Sequence, residues 1–148
     1  IPHFAISIAL KSRDELLSGL IFDPIKDEMF FAEKDKGAFL NNQRLRVSNK
    51  NNINDCLFAT GGKLKTEVDF PTRKTGCAAL DLAYVASGRY DGYFQKDINL
   101  WDIAAGIILI KESGGAINDI DLSNHENINV IASNSNIGPK FKEKLLNF

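Results

Sequence analysis

Methionine is almost missing from this sequence. Met29 is the sole example, and the chain opens on Ile1. A translation product starts with methionine, so the chain reads as a fragment of something larger. Cysteine is nearly as scarce. Cys56 and Cys77 fit neither a metal nor a disulfide spacing, which points to a reducing cytosol and a cytoplasmic location. Long apolar runs are also lacking: no stretch approaches the roughly 18 residues of a membrane span. The opening "IPHFAISIAL" has no basic residues ahead of it, as a signal peptide would. Excess charge of either sign is absent. A net charge of -1 gives no electrostatic reason to expect a nucleic-acid or membrane partner. What remains is ordinary for a soluble globular unit, with 44% hydrophobic and 25% charged residues over 148 positions. That length suits one domain with a real core, not two.

The first half reads as strands. "HFAISIAL" is one, and "SGLIFDPIKDEMFFAEK" is two β-rich runs joined by a turn around Asp23 to Asp27. After Gly37, the dipeptide Asn41-Asn42 marks a turn into an alternating strand through Leu45 and Val47. A polar loop, "NKNNIND", leads to a short strand "CLFAT" that stops at Gly61-Gly62. The second half changes period. "CAALDLAYVASG" follows Thr75-Gly76 and suits a packed helix closed by Gly88. "RYDGYFQ" reads as a strand with Asp91-Gly92 as its turn, and a helix follows from about Asp102 to Ser113. "GAINDI" and "NVIASN" read as strands, and "GPKFKEKLLNF" as a closing helix with Pro139 in its first turn. The expected fold class is α+β or layered α/β. Residues 1–148 form one unit, about 1–55 as antiparallel strands and about 56–148 as a mixed α/β part.

Two places could carry chemistry. Residues Ile103 to Ile110 are apolar on every face, so the helix behind Asp102 is predicted to be buried nearly all round. Asp102 then has two readings. It caps the helix, worth about 0.5–2 kcal/mol, or it projects from a rigid scaffold as an oxygen ligand for Mg2+ beside a helix N-terminus that favours phosphate. "KTGCAALD" opens the other helix with Gly76, Cys77 and Ala78. Such small residues either let elements pack closely or let a ligand approach the backbone.

Three stretches taken together carry a resemblance. "WDIAAGIILIKESGG" resembles the C-terminal signature of the inositol monophosphatase family, with Glu112-Ser113-Gly114-Gly115 as a mild variant of its Glu-Ala-Gly-Gly end. "GCAALDLAYVASGRYDGYF" resembles the helix and strand before that signature, particularly in bacterial SuhB-type members. "EMFFAEKDKGAFLNNQRLRVS" resembles the family's middle sheet. The resemblance implies the C-terminal portion of an αβαβα sandwich that hydrolyses phosphate monoesters with Mg2+ and is inhibited by Li+. It implies Asp102 as a metal ligand, Gly76, Cys77 and Ala78 against the substrate, and Gln95 on a sugar or inositol hydroxyl. It further implies a phosphorylated polyol or sugar as substrate, and a homodimer or a missing N-terminal segment as partner.

The departures matter as much. The family's Asp-Pro-Ile/Leu-Asp-Gly-Thr run falls upstream of Ile1, so no catalytic residue is expected in this chain. Asp23-Pro24-Ile25-Lys26-Asp27 lacks the Gly-Thr and reads as a turn. Gln95 stands where the family has an acid, Cys77 where it has a hydroxyl residue, and the stretch from Gly62 to Arg73 is shorter than the family's by about a helix. Mg2+ is therefore expected to bind weakly or not at all, and the chain alone to be inactive. The alternative function is a non-catalytic remnant acting as an interaction or oligomerising module.

Overall fold

The computed structural model describes residues 1–62 and 68–145. The stretch from Gly62 to Arg73, expected to be short, and the end of the closing helix therefore lie partly outside the described residues. Five strands form an antiparallel meander: β1 (Ile6–Ser12), β2 (Glu15–Asp23), β3 (Glu28–Glu33), β4 (Gly37–Leu40) and β5 (Gln43–Arg44), in the order β1-β2-β3-β4-β5. The Asp23–Asp27 segment is the predicted turn. Backbone N–H groups of Ile25 and Lys26 donate to Asp23 Oδ1 at 2.9 and 3.2 Å, and Lys26 Nζ lies 2.8 Å from Oδ2. The expected strand through Leu45 and Val47 ends early. The Leu45 N–H still reaches Ala38 O, but the Val47 N–H turns to Ser113 O, so the chain leaves the sheet to close over a helix end.

The second sheet is mixed. It holds β6 (Phe58–Thr60), β7 (Thr72–Arg73), β8 (Gly92–Ile98), β9 (Gly115–Ile117) and β10 (Ile128–Asn134), in the order β7-β6-β8-β10-β9. β6 runs parallel to β7 and β8, and β10 antiparallel to β8 and β9. The strand expected in "RYDGYFQ" is β8, but Asp91 just ahead of it is an anchor more than a turn residue. The buried Asp91 carboxylate accepts from Ser48 Oγ, Lys50 Nζ and the Leu57 N–H at 2.6 to 2.9 Å, tying the incoming loop to the start of β8. A buried charge is tolerable only when saturated in this way.

Helices α1 (Ala78–Ala86) and α2 (Leu100–Glu112) lie between the sheets. Helix α3 (Gly138–Lys144) packs its Phe141 on Phe58 and Phe94, on the far face of the mixed sheet. Strand alternation makes this possible: Phe58 and Phe94 face α3 while Ala59 and Tyr93 face α1 and α2. The layers thus run sheet, helices, sheet, helix, as expected for the C-terminal portion of the sandwich. Residues Ile103 to Ile110 are buried without exception, as the apolar pattern requires. The far end of α2 is also fixed, because Glu112 accepts the N–H groups of Asp35 and Gly37 at 2.9 Å each.

The outer face of the first sheet is the apolar surface left open. Ile6, Ile8 and Leu10 alternate outward along β1, with Phe4 just ahead of it, each more than half exposed, and Met29 and Phe31 continue the face on β3. Register aligns them into rows, Ile8 opposite Leu20, which opposes Phe31.

Glycine sets the spacing between α2 and β2. A Cβ on Gly19 would sit 2.8 Å from the Ala105 Cα and 2.9 Å from its carbonyl oxygen. Backbone cannot rotate away as a side chain can, so Gly19→Ala is expected to cost about 1–3 kcal/mol through overpacking. Urea unfolding of the two proteins checks this, and equal midpoints would show that α2 yields freely.

Candidate functional site

The C-terminal end of β8 and the N-terminal ends of α1 and α2 meet at one cleft of about 350 Å³. Gly76, Cys77 and Ala78 line it from the start of α1, Gln95 from β8 and Asp102 from α2. All five positions singled out in the sequence therefore come together. Ala5 and Ser7 bring the edge of the first sheet to the same cleft, and Gly61 and Gly62 close it beyond β6.

Asp102 does not begin its helix. Leu100 does, with Asn99 in the cap position and no capping side chain. Leu100 is buried and its N–H is held by His125 O at 2.9 Å, which starts the helix two residues before the aspartate. The capping reading of Asp102 therefore gives way. Asp102 sits half-buried in the first turn, and no described residue donates a hydrogen bond to its carboxylate. An acid held on a rigid helix and left unpaired in a cleft retains its full capacity to accept.

The N-terminus of α1 is prepared differently. Gly76 has φ +87°, which L side chains rarely adopt, and this turn delivers the chain to Cys77 at the cap position. Burial raises the Cys77 thiol, while the Leu80 and Ala79 N–H groups pull the other way. The net direction is upward, so the sulfur is a neutral thiol at neutral pH and no nucleophile. One turn along, Asp81 is buried and accepts from Thr75 Oγ1 at 2.6 Å. Desolvation pushes its carboxyl up to about 7, against the lowering effect of that hydrogen bond. Tyr93 is fully buried, and burial raises its hydroxyl far above the ordinary phenol range, helped by Asp81 and Asp102. Its hydroxyl donates to Gln95 Oε1.

Part of this site has no clear signature in the sequence. In sequence Gly61 and Gly62 mark only a strand stop and Thr75 only the approach to a helix, while Asp81 and Tyr93 carry no site signal of their own. The burial of Asp81 is nonetheless legible, since an acid inside "CAALDLAYVAS" cannot reach solvent from a helix that is apolar around it. Nothing in sequence could pair Tyr93 with Gln95 beyond their sharing one face of a strand.

Magnesium prefers octahedral oxygen coordination and is commonly held by one or two carboxylates plus phosphate. The described residues contain no cluster of three or more potential metal ligands among His, Cys, Asp and Glu. Asp102, unpaired and half-buried, fits one oxygen ligand of a hard cation. It does not make a complete site.

A sequence model of the inositol monophosphatase family matches residues 1–147. The chain belongs to the inositol monophosphatase family. The inositol-1-monophosphatase of Caulobacter vibrioides is 38% identical over an alignment that takes in 98% of this chain and 64% of that protein. The Nus factor SuhB of Haemophilus influenzae is 38% identical, with 98% and 61% covered. Among solved structures, the extragenic suppressor protein suhB from Bartonella henselae superposes with a TM-score of 0.84 at 39% identity, covering 95% of this chain and 63% of that one. The chain thus spans less than two thirds of the length of these relatives and matches their C-terminal part.

Within this member of the inositol monophosphatase family, the buried acid makes stability depend on pH. The folded Asp81 binds its proton up to about pH 7, whereas the unfolded residue releases it near 3.8. Between those values the folded state holds more protons, so stability falls as pH rises from about 4 to 7. Asp81→Asn keeps an acceptor for Thr75 and removes the titration. Its advantage over the parent in urea unfolding is expected to grow from pH 4.5 to pH 7.5, and a constant difference would contradict a raised Asp81.

Proposed function

We propose that this cleft is the substrate-side part of a Mg2+-dependent phosphate monoester hydrolase acting on a phosphorylated polyol or sugar, inositol phosphate among them. One observation carries the reading: the unpaired Asp102 carboxylate opens into the same cleft as the N-terminus of α1. Helix N-termini present free N–H groups and a positive dipole end, which suit a phosphate. A carboxylate beside that phosphate suits the hard cation that neutralises it. In this reading Asp102 holds the ion, the Gly76-Cys77-Ala78 backbone lies against the substrate, and Gln95 bonds a ring substituent. A bound divalent ion supplies charge neutralisation and Lewis-acid polarisation of the phosphate. The names of the Caulobacter vibrioides and Rhizobium meliloti relatives, both inositol-1-monophosphatases, support the class of reaction.

A single carboxylate cannot clamp two ions roughly 4 Å apart as the two-metal route requires, so the remaining ligands belong to the part of the relatives that precedes the matched region. The 148-residue chain by itself is accordingly expected to release no phosphate from inositol 1-phosphate, with or without Mg2+. A chimera carrying the N-terminal third of the Caulobacter relative ahead of Ile1 is expected to release it. Asp102→Asn in the chimera is expected to lower kcat/KM by about 100-fold or more, the scale for losing a charge-stabilising group. A chimera that folds and is inactive, or is indifferent to Asp102→Asn, overturns the reading.

A second reading rests on the open face of the first sheet. The rows from Phe4, Ile6, Ile8 and Leu10 across to Met29 and Phe31 form an apolar patch of the kind that finds a partner. That favours an oligomer, or an interaction module without catalysis, and the Nus factor name of one relative is compatible with it. A cytoplasmic location belongs to the same proposal, since both Cys56 and Cys77 are free thiols. Light scattering is expected to report a species larger than 16.4 kDa. A clean monomer would remove the oligomer.

A further inference from the structure

Gln95 is oriented more tightly than a surface amide would be. Its Oε1 accepts the Tyr93 hydroxyl at 2.5 Å. A Cβ on Gly61 would lie only 1.9 Å from that same oxygen and 2.6 Å from the amide carbon, so the side chain occupies the space that any other residue at 61 would need. Tyr93 is fully buried, and Gln95 is the partner of its hydroxyl. Reversing the amide would put an N–H against the phenol oxygen and leave the phenol proton without an acceptor, at about 1–3 kcal/mol for a buried unpaired group. The orientation is therefore decided by the buried neighbour. Oε1 points back at Tyr93, and Nε2 remains without a partner among the described residues, on a side chain that lines the cleft.

The consequence is a reversal of hydrogen-bond polarity. A carboxylate at this position would give one oxygen to Tyr93 and offer the other to a substrate hydroxyl as an acceptor. Gln95 instead offers two N–H donors and no negative charge. At the neighbouring wall, Lys74 Nζ donates to Gly62 O at 3.2 Å, which brings a cation to the lip formed by Gly61 and Gly62.

We infer that Gln95 is a specificity-determining residue that directs this cleft toward a phosphate monoester bearing a second, anionic acceptor group, a phosphate or a carboxylate, where a free hydroxyl would suffice for a carboxylate at position 95. Tyr93 is the positioning residue that fixes the amide. This inference rests on the phosphatase reading for the first phosphate, but its test is one of binding and does not require turnover. The selectivity arises because an anionic oxygen facing a carboxylate is repelled and unpaired, whereas facing an amide N–H it is bonded. Mismatches of this kind between a polar site and its ligand discriminate strongly.

The probes are inositol 1-phosphate, a panel of inositol bisphosphates sharing the 1-phosphate, and 6-phosphogluconate for the carboxylate arm. ¹⁵N NMR titrations of the 148-residue chain follow the Gly61 and Gly62 amides and the Gln95 side-chain NH2. At least one doubly anionic probe is expected to move the Gln95 NH2 signals and to bind more tightly than inositol 1-phosphate. In Gln95→Glu the affinity ratio of that probe to inositol 1-phosphate is expected to fall by roughly tenfold or more. Gln95→Met keeps the shape without the donors and is expected to lose the preference as well, which covers misfolding of the charged variant. Tyr93→Phe frees the amide to turn and is expected to narrow the ratio without abolishing binding, which a merely structural tyrosine would not do. Absence of a Gln95 response to every doubly anionic probe, or a ratio unchanged in Gln95→Glu and Gln95→Met, overturns the inference. A selective response in a protein whose chimera releases no phosphate would instead overturn the phosphatase reading and leave this one standing.

Discussion

The close packing of α2 between two sheets is the constraint on which the rest depends. On one side Gly19 brings β2 against Ala105, where even a methyl group would strike backbone. On the other, Gly106 receives Leu82 of α1, whose Cδ1 would lie 2.4 Å from a Cβ there. An apolar helix held this way cannot rotate without opening the core. Its first turn therefore has one direction, and Asp102 inherits it. The ties at the other end, from Glu112 to the Asp35 and Gly37 N–H groups, remove the remaining freedom to slide.

Around that fixed helix, the site is assembled from parts with unlike surroundings. Asp102 stands unpaired and partly solvated, while Asp81, one wall away, is buried and holds its proton toward neutral pH. Desolvation inside the core is what raises the Asp81 carboxyl, against the hydrogen bond from Thr75. The Cys77 thiol remains neutral for the same reason. In the proposed reading, the unpaired Asp102 carboxylate and the N-terminus of α1 are complementary needs that a cation and a phosphate would satisfy together.

The antiparallel meander shows how far pattern alone carries. Its β2–β3 turn at Asp23 to Asp27 was legible because an Asx turn and a proline punctuate the chain locally. The extended strand through Leu45 and Val47 was not, because the Val47 N–H finds its partner in Ser113, far along the chain. Asp91-Gly92 failed for a related reason. The dipeptide has the composition of a turn, yet the aspartate is buried and saturated by Ser48, Lys50 and Leu57, none of which is near it in sequence.

Local chemistry alone made legible the burial of α2 from its all-round apolar face, the alternation of the first strands, and the family signature running from Trp101 to Gly115. Whatever depends on groups remote in the chain came from packing. It moved the start of α2 to Leu100, since His125 holds that N–H. It made Asp81 a buried acid and left the outer face of the first sheet uncovered. It also turned the Gln95 amide, through a buried phenol on one side and a missing Cβ at Gly61 on the other. A hydrogen-bond donor or acceptor role is fixed by the partner already engaged, and that partner is supplied by packing.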